Sequence, residues 1–266
     1  LARQGRRTNA ALYEALALSD LSDLSKLLVG TSAAKYTAAA VERTAIDIQM
    51  TVQNSVSSFR YLHDTGEPFS IRDWVADPGD RWLFLAGHER QSEVLRPLIS
   101  LWVGAAIDAV MDRPPTHQLS MWLLLDELPS LNYLRSLEPA MTRARKYGLA
   151  CVLGVQQFSQ LRKIYGTHDA QTILSMCQTK LILRVTDPDA AQYLARLIGQ
   201  EERDEKEETL SYGVNEQRDG VSVYARRQVR DLVLPAEIMK LDDLEGYLTL
   251  PGHWPTAKVR YVRRER

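Results

Sequence analysis

The residues best suited to chemistry close the run Trp122-Leu123-Leu124-Leu125-Asp126-Glu127. Consecutive bulky apolar residues predict a buried strand, and open α/β sheets bind ligands at the carboxyl ends of their strands. At that edge Asp126 could hold Mg²⁺, directly or through water, and Glu127 could polarise a water molecule that attacks a γ-phosphate. The same residues also fit a buried strand followed by an acidic helix start capped by Ser130 or Asn132, so both interpretations stay open.

Two later features favour the first interpretation. The helix predicted after Pro129 ends in Arg143-Ala144-Arg145-Lys146. These cations complement the helix dipole, or they place an arginine across a subunit boundary against a transferring phosphoryl group. The next predicted strand, Leu149 to Val155, ends in Gln156. Its amide belongs at the same sheet edge as Asp126, one strand along, where a glutamine can sense a γ-phosphate or position water.

A cradle for the phosphates is not visible in the sequence. The segment Gly30 to Thr37 superficially resembles a phosphate-binding loop, but that loop needs a glycine before its lysine and a serine or threonine after it. Ala34 and Tyr36 occupy those places around Lys35. Because no apolar strand precedes the segment either, it is interpreted as a turn between two helices.

A cluster of helix breakers between residues 66 and 81 divides the chain into two patterns. Before it, leucines from Leu18 to Leu28 return on one face of a predicted helix, and a longer helix is predicted from about Ala34 to His63. After it, short apolar runs alternate with helical segments, which favours a mainly parallel sheet flanked by helices. The predicted strands are Trp82 to Ala86, Trp122 to Leu125, Leu149 to Val155 and Lys180 to Val185. The predicted helices are 90–112, 130–146, 168–177 and 188–198, with edge strands or hairpins around 207–230 and 245–262.

Bulk properties narrow the classes of protein. The chain has 266 residues, 45% of them hydrophobic, and a formal net charge of −1, so a contact with DNA must come from local basic clusters such as Arg3 to Arg7. Two cysteines and scattered histidines have neither disulfide nor metal-ligand spacing. The most apolar stretch, Pro97 to Met111, is interpreted as too short and too polar to span a bilayer. The charged run Glu201 to Glu208 is interpreted as an exposed turn before an edge strand.

Several separated motifs, in a fixed order, resemble the TraD-type coupling proteins of conjugative type IV secretion systems. The resemblance covers most of the chain and is strongest from residue 66 to the end. The motifs are Gly66-Glu67-Pro68-Phe69-Ser70-Ile71-Arg72-Asp73-Trp74, Leu123 to Leu131, Ala144 to Gly148, Gln156 with Ile164-Tyr165-Gly166, Ser211-Tyr212-Gly213 with Arg218-Asp219-Gly220-Val221-Ser222, and Leu248 to Gly252.

The resemblance implies a RecA-like motor into which an all-helical domain is inserted. Residues 1–77 are then part of the inserted domain, and residues 78–266 are the carboxyl-terminal part of the nucleotide-binding motor. The phosphate loop and a membrane anchor are expected upstream, which agrees with a first residue other than Met. The family roles make Asp126 and Glu127 the metal and water carboxylates, Arg145 the arginine finger and Gln156 the γ-phosphate sensor, with ATP and Mg²⁺ as cofactors.

The function that the resemblance implies is delivery of the relaxosome to the secretion channel with ATP-driven pumping of DNA. The expected partners are DNA gripped without sequence preference, relaxase and relaxosome proteins, channel components and further copies in a homo-hexamer. The chain is then a cytoplasmic domain of a bacterial inner-membrane protein. Two alternatives remain: a related FtsK/HerA-type ring DNA translocase, and a DNA- or protein-binding fragment that does not hydrolyse ATP.

Overall fold

The computed structural model describes residues 8–36, 42–62, 67, 69–211 and 220–263. The chain divides into two compact units, Leu1–Ile173 and Leu174–Arg266. Some predictions lie outside the described residues: the basic cluster from Arg3 to Arg7, the breakers Gly66 and Pro68, and most of the motif from Tyr212 to Asp219. The predicted domain boundary at residue 77 stays a prediction.

The first unit begins with short helices. They are α1 (Asn9–Tyr13), a π-helical turn (Glu14–Leu18), α2 (Leu21–Leu28) and α3 (Glu42–Val56), with 3₁₀ turns at Ala34–Tyr36 and Ser57–Tyr61. The single leucine-lined helix predicted across Leu18 to Leu28 is wrong, because Asp20 caps the start of α2 by accepting a hydrogen bond from the Asp23 N–H at 2.9 Å. The predicted long helix is likewise divided. Residues 30–36 form turns. This agrees with the interpretation of this segment as a turn between helices and not a phosphate-binding loop.

Helix α4 (Ile71–Ala76) is capped by Ser70, whose hydroxyl accepts the Asp73 N–H. The strand predicted at Trp82 to Ala86 is absent, because no described segment pairs with it to form a ladder. Its Trp82 and Phe84 rings instead stack on each other at a centroid distance of 6.0 Å. The apolar run is thus present without the partner that a strand needs.

Helix α5 (Ser92–Met111) is longer than the apolar stretch marked in the sequence. It has 20 residues and an 18-residue window of mean hydropathy 1.6, so by length and composition alone it could cross a membrane. A core helix of a soluble protein passes the same test. Leu98, Val103 and Ile107 are buried and the helix packs against α4, so these residues contribute to the core of the first unit, while only 28% of the apolar window is buried.

The centre of the first unit is a parallel pair, β1 (Thr116–Leu125) and β2 (Tyr147–Leu153), as predicted. Helix α6 (Leu137–Arg143) lies between them in sequence, and α7 (Phe158–Met176) follows β2. Helices α5 and α6 contact β2, and Leu125 and Leu149 are buried on one face of the pair. The other face exposes Trp122, Leu124 and Val152, so burial on both faces, expected from the apolar runs, is wrong here.

The second unit combines α8 (Pro188–Ile198), β3 (Lys180–Leu183) and an antiparallel sheet. A long ribbon pairs β4 (Gln200–Ser211) with β5 (Gly220–Asp231), and α9 (Pro235–Met239) leads to β6 (Glu245–Thr249) and β7 (Ala257–Arg260). The sheet order is β3-β6-β7. The buried core cluster is apolar and comes from β3, α8, α9 and the segments on either side of α9: Ile182, Ala195, Ile198, Val233, Ile238 and Leu241.

The interpretation of the charged run Glu201 to Glu208 as an exposed turn is wrong, because the run lies inside β4. In the part of the ribbon whose side chains are described, Glu201 of β4 stands opposite Arg230 of β5, and the Arg227 guanidinium lies 4.0 Å from the Glu202 carboxylate. Opposite charges at facing positions stabilise an antiparallel pair. The charges that the sequence alone placed in an exposed turn therefore face opposite charges on the neighbouring strand.

Candidate functional site

Three of the four predicted site residues meet at the carboxyl edge of the parallel pair. Asp126 and Glu127 directly follow β1, and Gln156 lies just beyond the end of β2. The ladder continues past Leu125↔Leu153, since the Gly154 N–H donates to the Leu125 carbonyl at 2.7 Å. The Leu128 N–H in turn donates to the Gly154 carbonyl at 2.9 Å. These bonds hold the two strand exits side by side.

Glu127 is half-buried, and neither of its carboxylate oxygens has a hydrogen-bond partner among the described residues. Burial raises the pKa of this carboxyl above its ordinary value of 4.5, and the negative charge of Asp126 raises the pKa further. The backbone N–H of Gln156 approaches the carboxylate and opposes that change, although its geometry falls short of a hydrogen bond. Asp126 itself is exposed. The edge therefore presents one solvated carboxylate and one half-buried carboxylate whose burial the Gln156 N–H offsets only in part.

A residue that the sequence reasoning missed, Gly154, allows this close arrangement. A Cβ atom placed on Gly154 would overlap the carbonyl oxygen of Asp126. Any side chain there would push the turn after β1 away from β2. The sequence contained a signal, since a glycine inside a strand pattern marks a close approach of two backbones.

Arg145 is not brought to this edge. It is exposed in the 3₁₀ turn Ala144–Lys146, which precedes the amino end of β2. Because β1 and β2 are parallel, the turn lies at the opposite end of the pair from Glu127 and Gln156. The seven residues of β2 span roughly 20 Å at about 3.3 Å per residue. Arg145 therefore cannot reach a phosphate held by the carboxylates of its own chain without a large movement.

An open cleft of about 450 Å³ surrounds Arg145. The other side chains that line it are hydroxyl-bearing or basic: Thr116, His117, Thr142, Arg143 and Lys146. No carboxylate is among these lining residues, so the cleft is electrostatically suited to an anion. Cations and hydroxyl donors together are the groups that proteins use to bind phosphate.

The carboxyl edge has the chemistry that Mg²⁺ requires. Carboxylate and amide oxygens are hard ligands, and Mg²⁺ bound with a nucleotide usually takes one or two carboxylates together with phosphate oxygens and water. Among the described residues no group of three or more His, Cys, Asp or Glu side chains could hold a metal ion by itself. The two orphaned oxygens of Glu127 and the exposed Asp126 thus fit a metal shared with a substrate rather than a cage made by the protein.

Comparison with known proteins identifies the class. A sequence model described as the type IV secretion-system coupling protein DNA-binding domain matches residues 1–261. This chain therefore belongs to the type IV secretion coupling protein family. The coupling protein TraD of Escherichia coli (strain K12) is 33% identical over 260 residues, which are 95% of this chain and 36% of TraD.

Solved structures agree with the assignment. The bacterial conjugative coupling protein TrwBdeltaN70 has a TM-score of 0.85 and 30% identity, over 100% of this chain and 60% of that one. TrwB in complex with ADP and Mg²⁺ has a TM-score of 0.84 at 30% identity, with the same coverage. The predicted α/β, RecA-like class is confirmed. The chain spans about a third of the length of TraD and 60% of the TrwB chain.

Proposed function

We propose that this chain is the carboxyl-terminal part of the motor of a conjugative coupling protein, which recruits relaxosome-bound plasmid DNA to the secretion channel and pumps DNA by hydrolysing ATP. Residues 1–77 form part of an inserted all-helical domain, and residues 78–266 belong to the motor. The observation that carries the proposal is the meeting of Glu127, Asp126 and Gln156 at one sheet edge. Membership of the coupling protein family supports the choice over other ring translocases.

Each side chain at the edge has a role that its environment suits. Mg²⁺, when bound, neutralises charge on the phosphates, and Asp126 is the carboxylate that holds it. Glu127 accepts a hydrogen bond from the attacking water and orients it, because its oxygens have no competing partner among the described residues. Gln156 senses the γ-phosphate from the neighbouring strand exit. The chain spans 36% of TraD, and the phosphate cradle is proposed to lie in another part of the intact protein.

Arg145 acts on the nucleotide of a neighbouring copy. Its place at the far end of β2 from Glu127 supports a role in trans, since a finger must come from outside the site that it completes. The cleft around it contains cations and no lining carboxylate, which suits an incoming polyphosphate. A homo-hexameric ring would place such a cleft against each neighbouring site.

DNA, relaxase and relaxosome proteins, and channel components are the proposed partners. Gripping the phosphate backbone without reading bases suits a translocase, because specific base contacts would stall it. We place the chain in the cytoplasm beside the inner membrane, with the anchor in another part of the protein. The matching family description, a DNA-binding domain, supports the choice of DNA as the cargo.

The test is the Glu127→Gln substitution in the intact coupling protein. We expect hydrolysis to fall by about a hundredfold or more while nucleotide binding survives, because the amide cannot accept the water proton. Glu93→Gln, on the exposed start of α5, is the control and should hydrolyse ATP normally. Normal turnover by Glu127→Gln would place the site elsewhere. The 266-residue chain alone should show negligible ATPase activity.

A further inference from the structure

Two arms of chain leave the carboxyl edge of β1 and β2 and diverge. One arm is the loop that begins at Glu127 and runs to α6. The other begins at Gln156 and continues into α7, where Tyr165 lies nine residues after Gln156. If the two site residues are to work together, the separation of these arms must be controlled.

The loop after Glu127 is held in one shape by buried leucines. Leu128, Leu131, Leu134 and Leu137 are 0–9% exposed, so every third residue enters the core. The Ser130 hydroxyl and backbone N–H both donate to the Glu127 carbonyl, at 2.7 and 3.0 Å. Movement of Leu134 would therefore be transmitted back through a packed turn to the backbone of Glu127.

Tyr165 joins the second arm to this loop. Its hydroxyl accepts the backbone N–H of Leu134 at 3.3 Å, and it is 7% exposed. Its ring packs against Tyr133 at a centroid distance of 5.2 Å with the planes tilted by 46°. The hydrogen bond satisfies a buried backbone donor, which would otherwise be costly to leave without a partner.

The backbone makes Tyr165 the last residue of a helical segment that begins at Phe158. Gly166 follows with φ of +80°, a left-handed conformation that glycine adopts without strain, and it interrupts α7. The helix from Phe158 to Tyr165 is thus a short rod between the Gln156 turn and the Leu134 contact. A rod of this kind passes a displacement from one end to the other.

We propose that Tyr165 is a positioning residue for ATP hydrolysis, which couples the Gln156 arm to the Glu127 loop through its bond to the Leu134 N–H. Contact of Gln156 with the γ-phosphate is passed along the helix to Tyr165 and then to the loop that aims Glu127. The proposal rests on the proposed function of the carboxyl edge. Precise support from residues outside a site fixes the geometry of those within it.

Removal of the hydroxyl should leave a folded protein. A cavity of about 70 Å³ borders the contact and is lined by Tyr133, Leu134, Tyr165 and Thr172, among others. This volume has room for a water molecule, which can accept the Leu134 N–H when the phenol is absent. Tyr165→Phe therefore breaks the coupling bond without leaving a buried donor unsatisfied. Tyr133→Phe is the matched control, because it keeps the ring pair and removes an exposed hydroxyl.

The first measurement is steady-state ATPase activity of the intact coupling protein. We expect Tyr165→Phe to lower kcat about tenfold or more with little change in KM, because misdirected Glu127 affects the chemical step and not binding. Added to Gln156→Ala, it should cause little further loss, since both changes interrupt one path. A kcat within about twofold of the parent, or losses that multiply in the double variant, would overturn the proposal.

A second measurement requires binding but no turnover. In hydrogen exchange of the intact protein, a non-hydrolysable ATP analogue should change the protection of the backbone amides of Leu128 and of residues 130–134. Tyr165→Phe should remove that change although the analogue still binds, whereas Tyr133→Phe should keep it. An unaltered protection change in Tyr165→Phe would overturn the coupling and leave the hydrolytic site intact. Normal hydrolysis by Glu127→Gln would instead contradict the proposed function, which distinguishes the two failures.

Discussion

The two ends of the β1–β2 pair have opposite chemistry. The carboxyl end has Asp126, the half-buried Glu127 and the Gln156 amide, whereas the amino end has Arg143, Arg145 and Lys146 around an open cleft. Complementary groups for one phosphate chain are thus present in a single chain but separated by roughly 20 Å, from about 3.3 Å per residue over the seven residues of β2. This separation supports the proposed role of Arg145 at the site of a neighbouring copy, because a paired strand is too rigid to bring its own two ends together.

The sharpest test of this comparison mixes two variants of the intact protein. We expect Arg145→Ala to lower ATP hydrolysis by the assembled ring by about a hundredfold or more, given the usual contribution of an arginine finger. Rings that combine Arg145→Ala subunits with Glu127→Gln subunits should regain activity, because some interfaces then join an intact Glu127 to an intact Arg145.

The control for mixing is Arg196→Ala, an exposed arginine on α8, which should remain active by itself. Mixed rings without any recovery, together with equal loss of activity in monomeric Arg145→Ala, would contradict a role in trans. Both ends would then have to serve one site within a single chain.

The carboxyl end depends on the close approach of two backbones. Gly154→Ala should destabilise the 266-residue chain by about 1–3 kcal/mol, because the added methyl group overlaps the Asp126 carbonyl and the turn must move. Urea denaturation measures the loss. Gly104→Ala in α5 is the control: its Cβ would lie 3.7 Å from the nearest atom, the Ser136 hydroxyl oxygen. It should be neutral or slightly stabilising. Equal stability of the two variants would remove the packing argument.

The amino end should bind a polyanion without help from the rest of the protein. At low salt, tripolyphosphate at about ten times its dissociation constant should stabilise the chain by about 1.4 kcal/mol, measured as a rise in Tm. Arg145→Ala combined with Lys146→Ala should remove the rise, because these cations line the cleft. The Arg196→Ala variant should keep it. Stabilisation that survives the double substitution would assign the anion to another surface.

The smallest expected effect is on stability at the carboxyl end. Burial raises the pKa of Glu127, so its ionised form is disfavoured in the folded state, and this cost is present above the folded pKa. Glu127→Gln should therefore raise Tm by about 2 °C at pH 7, within the usual range for a sub-kilocalorie change. The gain should disappear as pH falls below the ordinary value of 4.5, where the carboxyl is neutral in both states.

Glu67→Gln, at an exposed position, should leave Tm unchanged at both pH values. If Glu127→Gln instead lowered Tm at pH 7, the carboxylate would be compensated in the fold. Glu127 would then not have oxygens available to orient water.

Much of the fold followed from local pattern. Apolar runs predicted β1, β2 and β3, and α8 falls on the predicted range 188–198. Patterns were less informative where structure depends on a distant partner. Trp82 to Ala86 has the residues of a strand but no described strand beside it, and Glu201 to Glu208 looks like a loop until β5 pairs with it. In both cases pairing with another segment decides whether a strand forms, and the sequence of one segment alone does not specify that pairing.

By itself, the sequence determined which groups exist at each strand end: carboxylates after β1, an amide after β2 and cations before β2, together with the family resemblance. The tertiary structure alone decided which of them meet. Parallel pairing brings Glu127 and Gln156 to one edge and separates both from Arg145, and Gly154 sets how closely the strand exits approach. The contact of Tyr165 with Leu134 also belongs to the tertiary level, because it joins residues 31 positions apart. Composition specifies the groups, but distance and burial determine what they can do together.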